Sequence, residues 1–282
     1  MIIDFHTHTF PDKSSEKIVN HLAHTGCIPP HTDGSVIGLF SSMKEADIDY
    51  SVNLPVMTKP EQVEKVNSSL IMQKEYFLDM KIITFGGMHP DYVNYKEELL
   101  RLKQAGIPGI KLHPAYQNVD LDDIRMMRII DEASSQGLIT LVHAGIDIGI
   151  YDHNYSSVAH ILKLLKEVAP KKLVLAHMGN WGCWKEVESD LAGAPVYFDT
   201  AFSYGPITPL PECSKAPYLP YNLHPDDFVR LARKHGTDKV LFGTDSPWEG
   251  QTDYVKRISH MAFTKKELEQ ILSENAKNLL TI

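Results

Sequence analysis

The chain is poor in cysteine, and this shortage excludes several kinds of site and scaffold. Its three cysteines, Cys27, Cys183 and Cys213, contain no Cys-x-x-Cys pair, so we expect no cysteine-based zinc site. A chain of 282 residues buries enough apolar surface to fold without a disulfide framework. We therefore expect a protein of a reducing compartment, the cytoplasm.

Long apolar runs and an excess of positive charge are also missing. No stretch of 18 apolar residues occurs, and the amino-terminal MIIDFHTH lacks the basic and apolar regions of a signal peptide. Acidic residues outnumber lysine and arginine by 36 to 28, which gives a net charge of -8. We therefore expect a small-molecule substrate as the partner, and no binding to membrane or nucleic acid.

Short apolar runs recur along the whole chain and predict buried parallel strands, because they are nearly continuous rather than alternating. Segments with helical periodicity lie between them, and Thr264 with Glu267 forms a capping-box pattern at the start of one. The predicted strands are Ile2–His8, Tyr50–Val56, Ile82–Met88, Gly109–His113, Ile139–His143, Leu173–His177, Val196–Thr200 and Val240–Asp245. The clearest predicted helices are Lys96–Gln104, Asp122–Ser135, Ser156–Val168, Pro225–Lys234 and Lys265–Leu272.

Eight strands that alternate with helices predict an α/β fold, a (β/α)8 TIM barrel. A doubly wound open sheet is the alternative, since periodicity alone does not exclude it. No linker interrupts the pattern, so we expect residues 1–282 to form a single TIM-barrel domain. The segment Phe202–Tyr221 contains five prolines and three tyrosines after the seventh strand, which predicts either a functional lid or a homodimer contact.

The chain is rich in histidine, with 14, and six of these fall at predicted strand ends. His6-Thr7-His8 ends the first strand, where residues i and i+2 point to the same face. Both imidazoles then aim at one point at the mouth of a barrel, and imidazole is the commonest metal ligand.

Three further strand ends carry His143, His177 and Asp245, each before a turn of small residues. In a barrel these side chains meet at the carboxyl-terminal face, where barrel enzymes build their active sites. Several histidines with a carboxylate and no thiolate favour Zn²⁺, Mn²⁺ or Fe²⁺. A single histidine in a strand is more often a packed core residue, but four histidines and an aspartate at matching strand ends indicate a metal site.

Taken together, these motifs resemble the amidohydrolase superfamily, and more narrowly the amidohydrolase-related family that includes aminocarboxymuconate-semialdehyde decarboxylase. The resemblance spans essentially the whole chain and implies a (β/α)8 barrel with one divalent metal ion, for which Zn²⁺ is the first choice. The motifs that carry it are Asp4-Phe5-His6-Thr7-His8, FGGMHPDY at Phe85–Tyr92, GIKLHP at Gly109–Pro114, the His143 and His177 strand ends, and GTDSPW at Gly243–Trp248.

The resemblance also implies roles for individual residues. His6, His8 and His143 would be metal ligands, with Asp245 as a further ligand or as the base for a metal-activated water. His177 would lie beside the metal as a catalytic residue that polarises the substrate or moves a proton.

Lys111 lies where two-metal members of the superfamily carry a carboxylated bridging lysine. Contact with a substrate anion and a purely structural role are the alternatives for this side chain. His113, His89 and Trp248 are predicted to contact substrate, and Tyr204, Tyr218 and Tyr221 either line the same pocket or serve packing.

These residues predict a metal-dependent hydrolase that cleaves a C–N, C–O or lactone bond of a small molecule. A non-oxidative decarboxylase or hydratase of the same family, acting on a small carboxylic acid, is the alternative. The opening DFHTHT also resembles PHP-type phosphoesterases, but the third strand ends in Met88-His89 where those enzymes need a glutamate. A non-catalytic barrel is disfavoured, because every expected ligand position is filled.

Overall fold

The structure is a computed structural model that describes residues 1–213 and 222–282. Within these residues the chain forms nine short strands, and all but the third are followed by a helix or a loop. The strands are β1 (Ile3–Thr7), β2 (Tyr50–Asn53), β3 (Ile82–Thr84), β4 (Gly86–Gly87), β5 (Gly109–Leu112), β6 (Ile139–Val142), β7 (Leu173–Leu175), β8 (Tyr197–Asp199) and β9 (Val240–Leu241).

The strands are parallel and close into a barrel. The sheet orders are β1-β2-β3 and β4-β5-β6-β7-β8-β9, and β3 and β4 are one barrel strand interrupted at Phe85. The last strand returns to the first, because Phe5 N–H donates to Phe242 O at 2.7 Å and Asp245 N–H donates to His6 O at 2.8 Å. This closure confirms the (β/α)8 barrel and excludes the doubly wound open sheet.

Helices fill the connections, and all five of the clearest predicted helices are present within one or two residues, except that the last changes to a π-helix at Gln270–Glu274. The capping box of Thr264 and Glu267 is confirmed. In the described part of the chain, no helix combines the length and the apolar character needed to cross a membrane. The α-helices are α1 (Ser15–Gly26), α2 (Val36–Glu45), α3 (Gln62–Met72), α4 (Lys74–Asp79), α5 (Tyr95–Gln104), α6 (Pro114–Gln117), α7 (Ile124–Ser135), α8 (Val158–Glu167), α9 (Trp184–Glu186), α10 (Pro225–His235), α11 (Gln251–Ser259), α12 (Lys265–Glu269) and α13 (Asn275–Leu280).

Two apolar clusters hold the barrel together. The larger one lies between the strands and the surrounding helices, and the smaller one fills the interior of the barrel. Phe5, Phe85 and Leu141 belong to the inner cluster and are fully buried, and Leu279 of α13 packs against them. Each such side chain contributes about 1.5–3 kcal/mol by leaving water. The interior is therefore a packed core, and the space for chemistry lies at the mouth.

The cysteines correct one expectation from the sequence. Cys27 and Cys213 form a disulfide across 186 residues, whereas no spacing in the sequence indicates this pair. Cys27 follows α1, and Cys213 lies in the proline-rich segment after β8, so only the folded barrel brings them together. Residues 214–221 of that segment, with Tyr218 and Tyr221, lie outside the described residues.

Candidate active site

The register of β1 shifts by one residue next to the site. Asp4 pairs with Ser51 of β2, but Thr7 pairs with Asn53, so β1 contains one residue more than β2 between these points. Such a bulge bends a strand and re-aims its side chains.

The bulge decides which residues of β1 face inward. Before it, Ile3 and Phe5 pack in the inner apolar cluster. After it, His6 and His8 line a cavity at the barrel mouth. One strand therefore supplies both the core and two potential ligands, and the structure brings the Nε2 atoms of His6 and His8 to 3.2 Å from each other.

Hydrogen bonds fix the tautomers of both histidines. His6 Nδ1 lies 2.8 Å from Asp199 Oδ2, and His8 Nδ1 lies 2.7 Å from the carbonyl oxygen of Leu54. Because a carboxylate and a carbonyl only accept, both Nδ1 atoms carry hydrogen and donate. The two Nε2 atoms then face each other with their lone pairs.

Asp245 completes this group of electron donors. Its Oδ1 lies 3.1 Å from His8 Nε2 and 3.5 Å from His6 Nε2. Burial would raise the pKa of Asp245, but His6 and His8 outweigh burial and lower that pKa, so the carboxylate is ionised. Three facing lone-pair donors repel one another unless a cation or a proton lies between them.

The spacing of these three atoms fits a small divalent metal ion. A tetrahedral zinc ion with bonds of about 2.0–2.1 Å holds its ligand atoms about 3.3–3.4 Å apart. The observed separations of 3.1, 3.2 and 3.5 Å lie around that value. His6, His8 and Asp245 are therefore the residues that fit a metal ion, and Asp199 is the carboxylate that orients His6 toward it.

His143 and His177 form a second pair beside this group. His177 Nδ1 donates to the carbonyl oxygen of Ala201 at 2.8 Å, so its Nε2 has a lone pair, and His143 Nδ1 donates to it at 3.0 Å. The rings of His6 and His177 lie 5.3 Å apart. The structure thus places His143 next to His177 rather than within the three-donor group, and its ligation of a metal stays a prediction.

Lys111 brings a buried cation to the same place. Its Nζ lies 3.3 Å from His6 Nε2, and the side chain is 1% exposed. Burial lowers the pKa of Lys111 to about 8, against the attraction of Asp199, Asp245 and Asp147. Among the described residues, no carboxylate oxygen lies within 4.0 Å of this ammonium, so Lys111 is a charge held out of water without a close counterion.

Asp199 also belongs to the candidate site, although the motifs in the sequence did not indicate it. It ends β8, and its Oδ1 accepts from the backbone N–H groups of His177 and Ala201, while its Oδ2 accepts from His6. Burial raises the pKa of this carboxyl. The sequence does contain a signal, because Asp199 is an aspartate near the end of a predicted strand like Asp245, but Thr200 and Ala201 follow it where Ser246 and Pro247 follow Asp245.

A second group of polar side chains lies around Asp147 in the turn after β6, and the motifs in the sequence did not indicate Asp147. Asp147 Oδ1 accepts from Gly149 N–H at 2.8 Å, and its Oδ2 lies 3.6 Å from His113 Nε2 and 3.9 Å from His143 Nε2. Burial raises the pKa of Asp147 to about 6. The rings of His113 and His143 are stacked, 4.2 Å apart at 12°. A metal lies in the plane of each imidazole that binds it, so two parallel stacked rings do not share one ion.

The remaining walls of the cavity are mostly apolar. The cavity has a volume of about 500 Å³, and Lys111 is the one lysine or arginine among its lining residues, all of which the structure describes. A pocket of this size suits a small molecule. Its apolar wall consists of Phe10, Pro11, Ile18, Leu22, Ile28, Leu54, Pro55, Val56, Val66, Ile146, Ile148, Trp181, Phe202 and Trp248.

Some of the residues predicted to contact substrate line the cavity, and others lie away from it. Lys111, His113 and Trp248 line the cavity. His89 does not: its side chain is buried outside the cavity wall, and its Nδ1 accepts from the backbone N–H of Asp91. Tyr204 packs its ring near Phe228, away from the wall.

The fold and the donor group together define a class, the metal-dependent enzymes built on a (β/α)8 barrel. The sequence model of one family, described as amidohydrolase, matches residues 3–282. The chain therefore belongs to the amidohydrolase family, a family of metal-dependent enzymes, as the motifs predicted. Among curated proteins, none matches the chain.

Three solved structures are similar along almost the full length. A TIM-barrel protein from Bordetella bronchiseptica has 19% identity and a TM-score of 0.75, over 99% of this chain and 98% of that one. The 5-carboxyvanillate decarboxylase of Sphingomonas paucimobilis has 12% identity and a TM-score of 0.69, over 100% and 99%. A dihydroxybenzoic acid decarboxylase from Polaromonas, with bound manganese, has 12% identity and a TM-score of 0.70, over 99% and 96%. At these identities the similarity shows a common fold.

Proposed function

We propose that the protein is a metal-dependent, non-oxidative decarboxylase of a small carboxylic acid. The observation that carries this proposal is the buried ammonium of Lys111, which lies 3.3 Å from His6 and has no close carboxylate among the described residues. A buried cation without a counterion is costly, and an anionic ligand offsets that cost. The substrate carboxylate is the counterion we assign to it.

The apolar walls support decarboxylation over other reactions of a bound acid. A carboxylate taken from water into an apolar cavity loses its hydration, whereas the CO₂ that leaves is uncharged and needs none. In the proposed step the carbon–carbon bond to the carboxylate breaks and its electron pair stays on the substrate carbon. CO₂ then leaves, and a proton taken from water, whose transfer we assign to His177, is added to that carbon.

We assign the other predicted site residues to this step. His6, His8 and Asp245 would hold the divalent metal, with Zn²⁺ as first choice and Mn²⁺ or Fe²⁺ as alternatives. When bound, such an ion would supply positive charge that polarises a substrate oxygen. His177 moves the proton and Asp245 acts with it, because both lie against His6 at the end of the cavity that contains Lys111. His113 and Trp248 contact the substrate.

Structural similarity also supports this choice over the hydrolase expected from the sequence. Two of the similar structures are named as decarboxylases of aromatic acids. Hydrolysis of a C–N, C–O or lactone bond is the second candidate, since an ionised Asp245 beside a metal site is also suited to taking a proton from water.

The experiment compares two products from one panel of substrates. Protein loaded with Zn²⁺, Mn²⁺ or Fe²⁺ is incubated with hydroxylated benzoic acids and small unsaturated acids, and with matched esters, amides and lactones. We expect CO₂ from at least one acid and no hydrolysis of the neutral compounds. Hydrolysis without any CO₂ release would overturn the proposal in favour of the second candidate.

A matched pair of variants tests the role of Lys111. Lys111→Met keeps the length of the side chain and removes its charge, and we expect KM for the acid to rise about 10- to 100-fold, the value of a charged hydrogen bond. Lys163→Met removes an exposed lysine on α8 that pairs with Asp122 and should leave KM unchanged. An unchanged KM in Lys111→Met would contradict the assigned counterion.

A further inference from the structure

Asp4 is a buried carboxylate that contacts two parts of the candidate metal site without lining the cavity. Its side chain is 0% exposed, and it takes no part in the cavity wall. Among the described residues, no cationic side chain lies within 4.0 Å of its oxygens. A buried carboxylate is tolerated only when hydrogen bonds replace its hydration, so the partners of Asp4 show what this residue does.

Four hydrogen bonds hold the carboxylate. Asp4 Oδ1 accepts from the backbone N–H of His6 at 3.2 Å and from that of Thr244 at 2.9 Å. Asp4 Oδ2 accepts from Thr244 Oγ1 at 2.6 Å and from Gln251 Nε2 at 2.7 Å. Backbone and amide N–H groups only donate, so both oxygens of Asp4 are acceptors. The side chain thus joins β1 to the turn after β9 and to the start of α11.

The bond to His6 lies within the β1 bulge. His6 lies between the paired residues Asp4 and Thr7, in the stretch where β1 has one residue more than β2. A bulge disturbs the regular pairing of the strands at this point. Because Asp4 accepts from the His6 N–H group, it stabilises the backbone conformation that directs the His6 side chain into the cavity.

The bonds to Thr244 fix the turn that carries Asp245. Thr244 precedes Asp245 and is held by Asp4 through both its N–H and its hydroxyl group. The same hydroxyl accepts at 3.1 Å from the N–H group of Ser246, which follows Asp245. Asp245 has a φ of 73°, a left-handed conformation that residues other than glycine adopt only rarely. The residues on both sides of Asp245 are therefore bound into one network that ends on Asp4.

We infer that Asp4 is a positioning residue, which sets the spacing between His6 and Asp245 so that both side chains can bind one metal ion. The inference rests on the metal site of the proposed function and adds the residue that fixes the spacing of two of its ligands. The separation on which Asp4 acts is the 3.5 Å between His6 Nε2 and Asp245 Oδ1. Asp199 orients the ring of His6, whereas Asp4 acts on the backbone that carries it.

Metal binding tests the inference without any need for turnover. Metal-free protein is titrated with Zn²⁺ against an indicator of known affinity, and with Co²⁺, whose visible spectrum reports the geometry of its ligands. Asp4→Asn keeps an acceptor for His6 and Thr244 but sets an amide donor against Gln251 Nε2. We expect the Zn²⁺ affinity to fall about 10-fold or more and the Co²⁺ spectrum to change. Asp253→Asn, an exposed position on α11, should change neither.

Further variants separate positioning from a general loss of stability. In Asp4→Asn/Gln251→Glu the donor and the acceptor exchange places at constant net charge, so the Zn²⁺ affinity should return to within about threefold of wild type. Gln251→Glu alone sets two carboxylates against each other and should weaken binding as Asp4→Asn does. Thr244→Val keeps the shape of its side chain, removes the hydroxyl bond to Asp4 and should lower the affinity about threefold to 10-fold. It tests the same contact if Asp4→Asn does not fold.

Three results would overturn the inference. One is a wild-type affinity and Co²⁺ spectrum in Asp4→Asn, or in Thr244→Val if only that variant folds, because a purely structural residue would lower the free energy of unfolding alone. Another is a double variant that binds Zn²⁺ no better than Asp4→Asn. The third is a wild-type protein that binds neither ion. Metal binding by the wild type without CO₂ release from any acid would instead refute the decarboxylase and leave the role of Asp4 unaffected.

Discussion

At the scale of single residues, the site is built by fixing which nitrogen of each histidine carries hydrogen. Asp199, Leu54 and Ala201 each accept from one Nδ1 atom, so the Nε2 atoms of His6, His8 and His177 carry lone pairs, and that of His177 accepts from His143. Partners of this kind hold ligand histidines in the tautomer and orientation that metals need.

Asp199 gives the sharpest test of this arrangement. Asp199→Asn keeps an oxygen for the backbone N–H groups of His177 and Ala201 but puts an amide donor against His6 Nδ1. We expect His6 to change tautomer and metal affinity to fall about 10- to 100-fold. Competition against a chelator of known affinity measures this change. Asp190→Asn, an exposed aspartate before β8, is the control, and equal affinities in the two variants would refute the role of Asp199.

The sequence predicted the candidate metal-binding and catalytic residues better than it predicted the residues that contact them. His6, His8, His143, His177 and Asp245 follow apolar runs, and this pattern placed them at one end of a barrel. The sequence did not indicate Asp147, because the position of this residue depends on the path of a loop. Four residues beyond the predicted strand, no periodicity determines the direction of a side chain.

At the scale of elements, the strands end earlier than the apolar runs that predicted them. β6 ends at Val142 and β7 at Leu175, so His143 and His177 lie in the turns beyond. His177 and Asp245 have φ values of 60° and 73°, a left-handed backbone that alternation along a strand does not predict. The existence of the eight barrel strands follows from hydrophobic pattern, whereas the bulge and these turns depend on contacts between neighbouring strands.

The contact between α10 and β8 predicts how the stability of the protein depends on pH. His235, the last residue of α10, stacks on Phe198 at 3.6 Å and is 2% exposed, and burial lowers its pKa to about 4. The unfolded chain, with a histidine pKa near 6.5, binds the proton first as pH falls. Stability from this group is therefore complete above about pH 6.5 and is lost as pH falls toward 4.

Chemical denaturation at two pH values measures that loss. Between pH 7 and pH 5 the wild-type free energy of unfolding should fall by about 2 kcal/mol more than that of His235→Gln, which lacks the titrating ring. Other titrating groups act equally in both proteins. Equal losses in the two would contradict a neutral buried imidazole.

At the scale of the whole molecule, the disulfide links two segments of the chain at the cavity. Six of the cavity-lining residues lie between Phe10 and Ile28, around α1, and Cys27 joins this segment to Cys213 beyond β8. Cys27 O also accepts from Leu210 N–H at 3.0 Å. No local spacing in the sequence predicts a disulfide across 186 residues, and for this reason we did not expect one from the sequence.

Reduction tests the contribution of this link to stability. A disulfide that closes so long a loop restricts the unfolded chain, and its loss should lower the free energy of unfolding by about 2–5 kcal/mol. Guanidinium denaturation with and without a reductant measures the difference, and a Cys27→Ser/Cys213→Ser double variant should match the reduced protein. Cys183→Ser is the control, because Cys183 has a free thiol. A reduced protein as stable as the oxidised one would refute the link.

The bulge in β1 has a consequence for how the sequence can change. Up to Phe5, odd-numbered positions face the core, and beyond it even-numbered positions face the cavity, so the strand changes phase at one peptide unit. If β1 paired with β2 without the bulge, Ile3, Phe5 and Thr7 would face inward, and His6 and His8 would turn toward the helices. Folding and chemistry thus depend on separate halves of a five-residue strand, and a slip of the register by one residue beyond Phe5 would leave the barrel core filled and remove both histidines from the cavity.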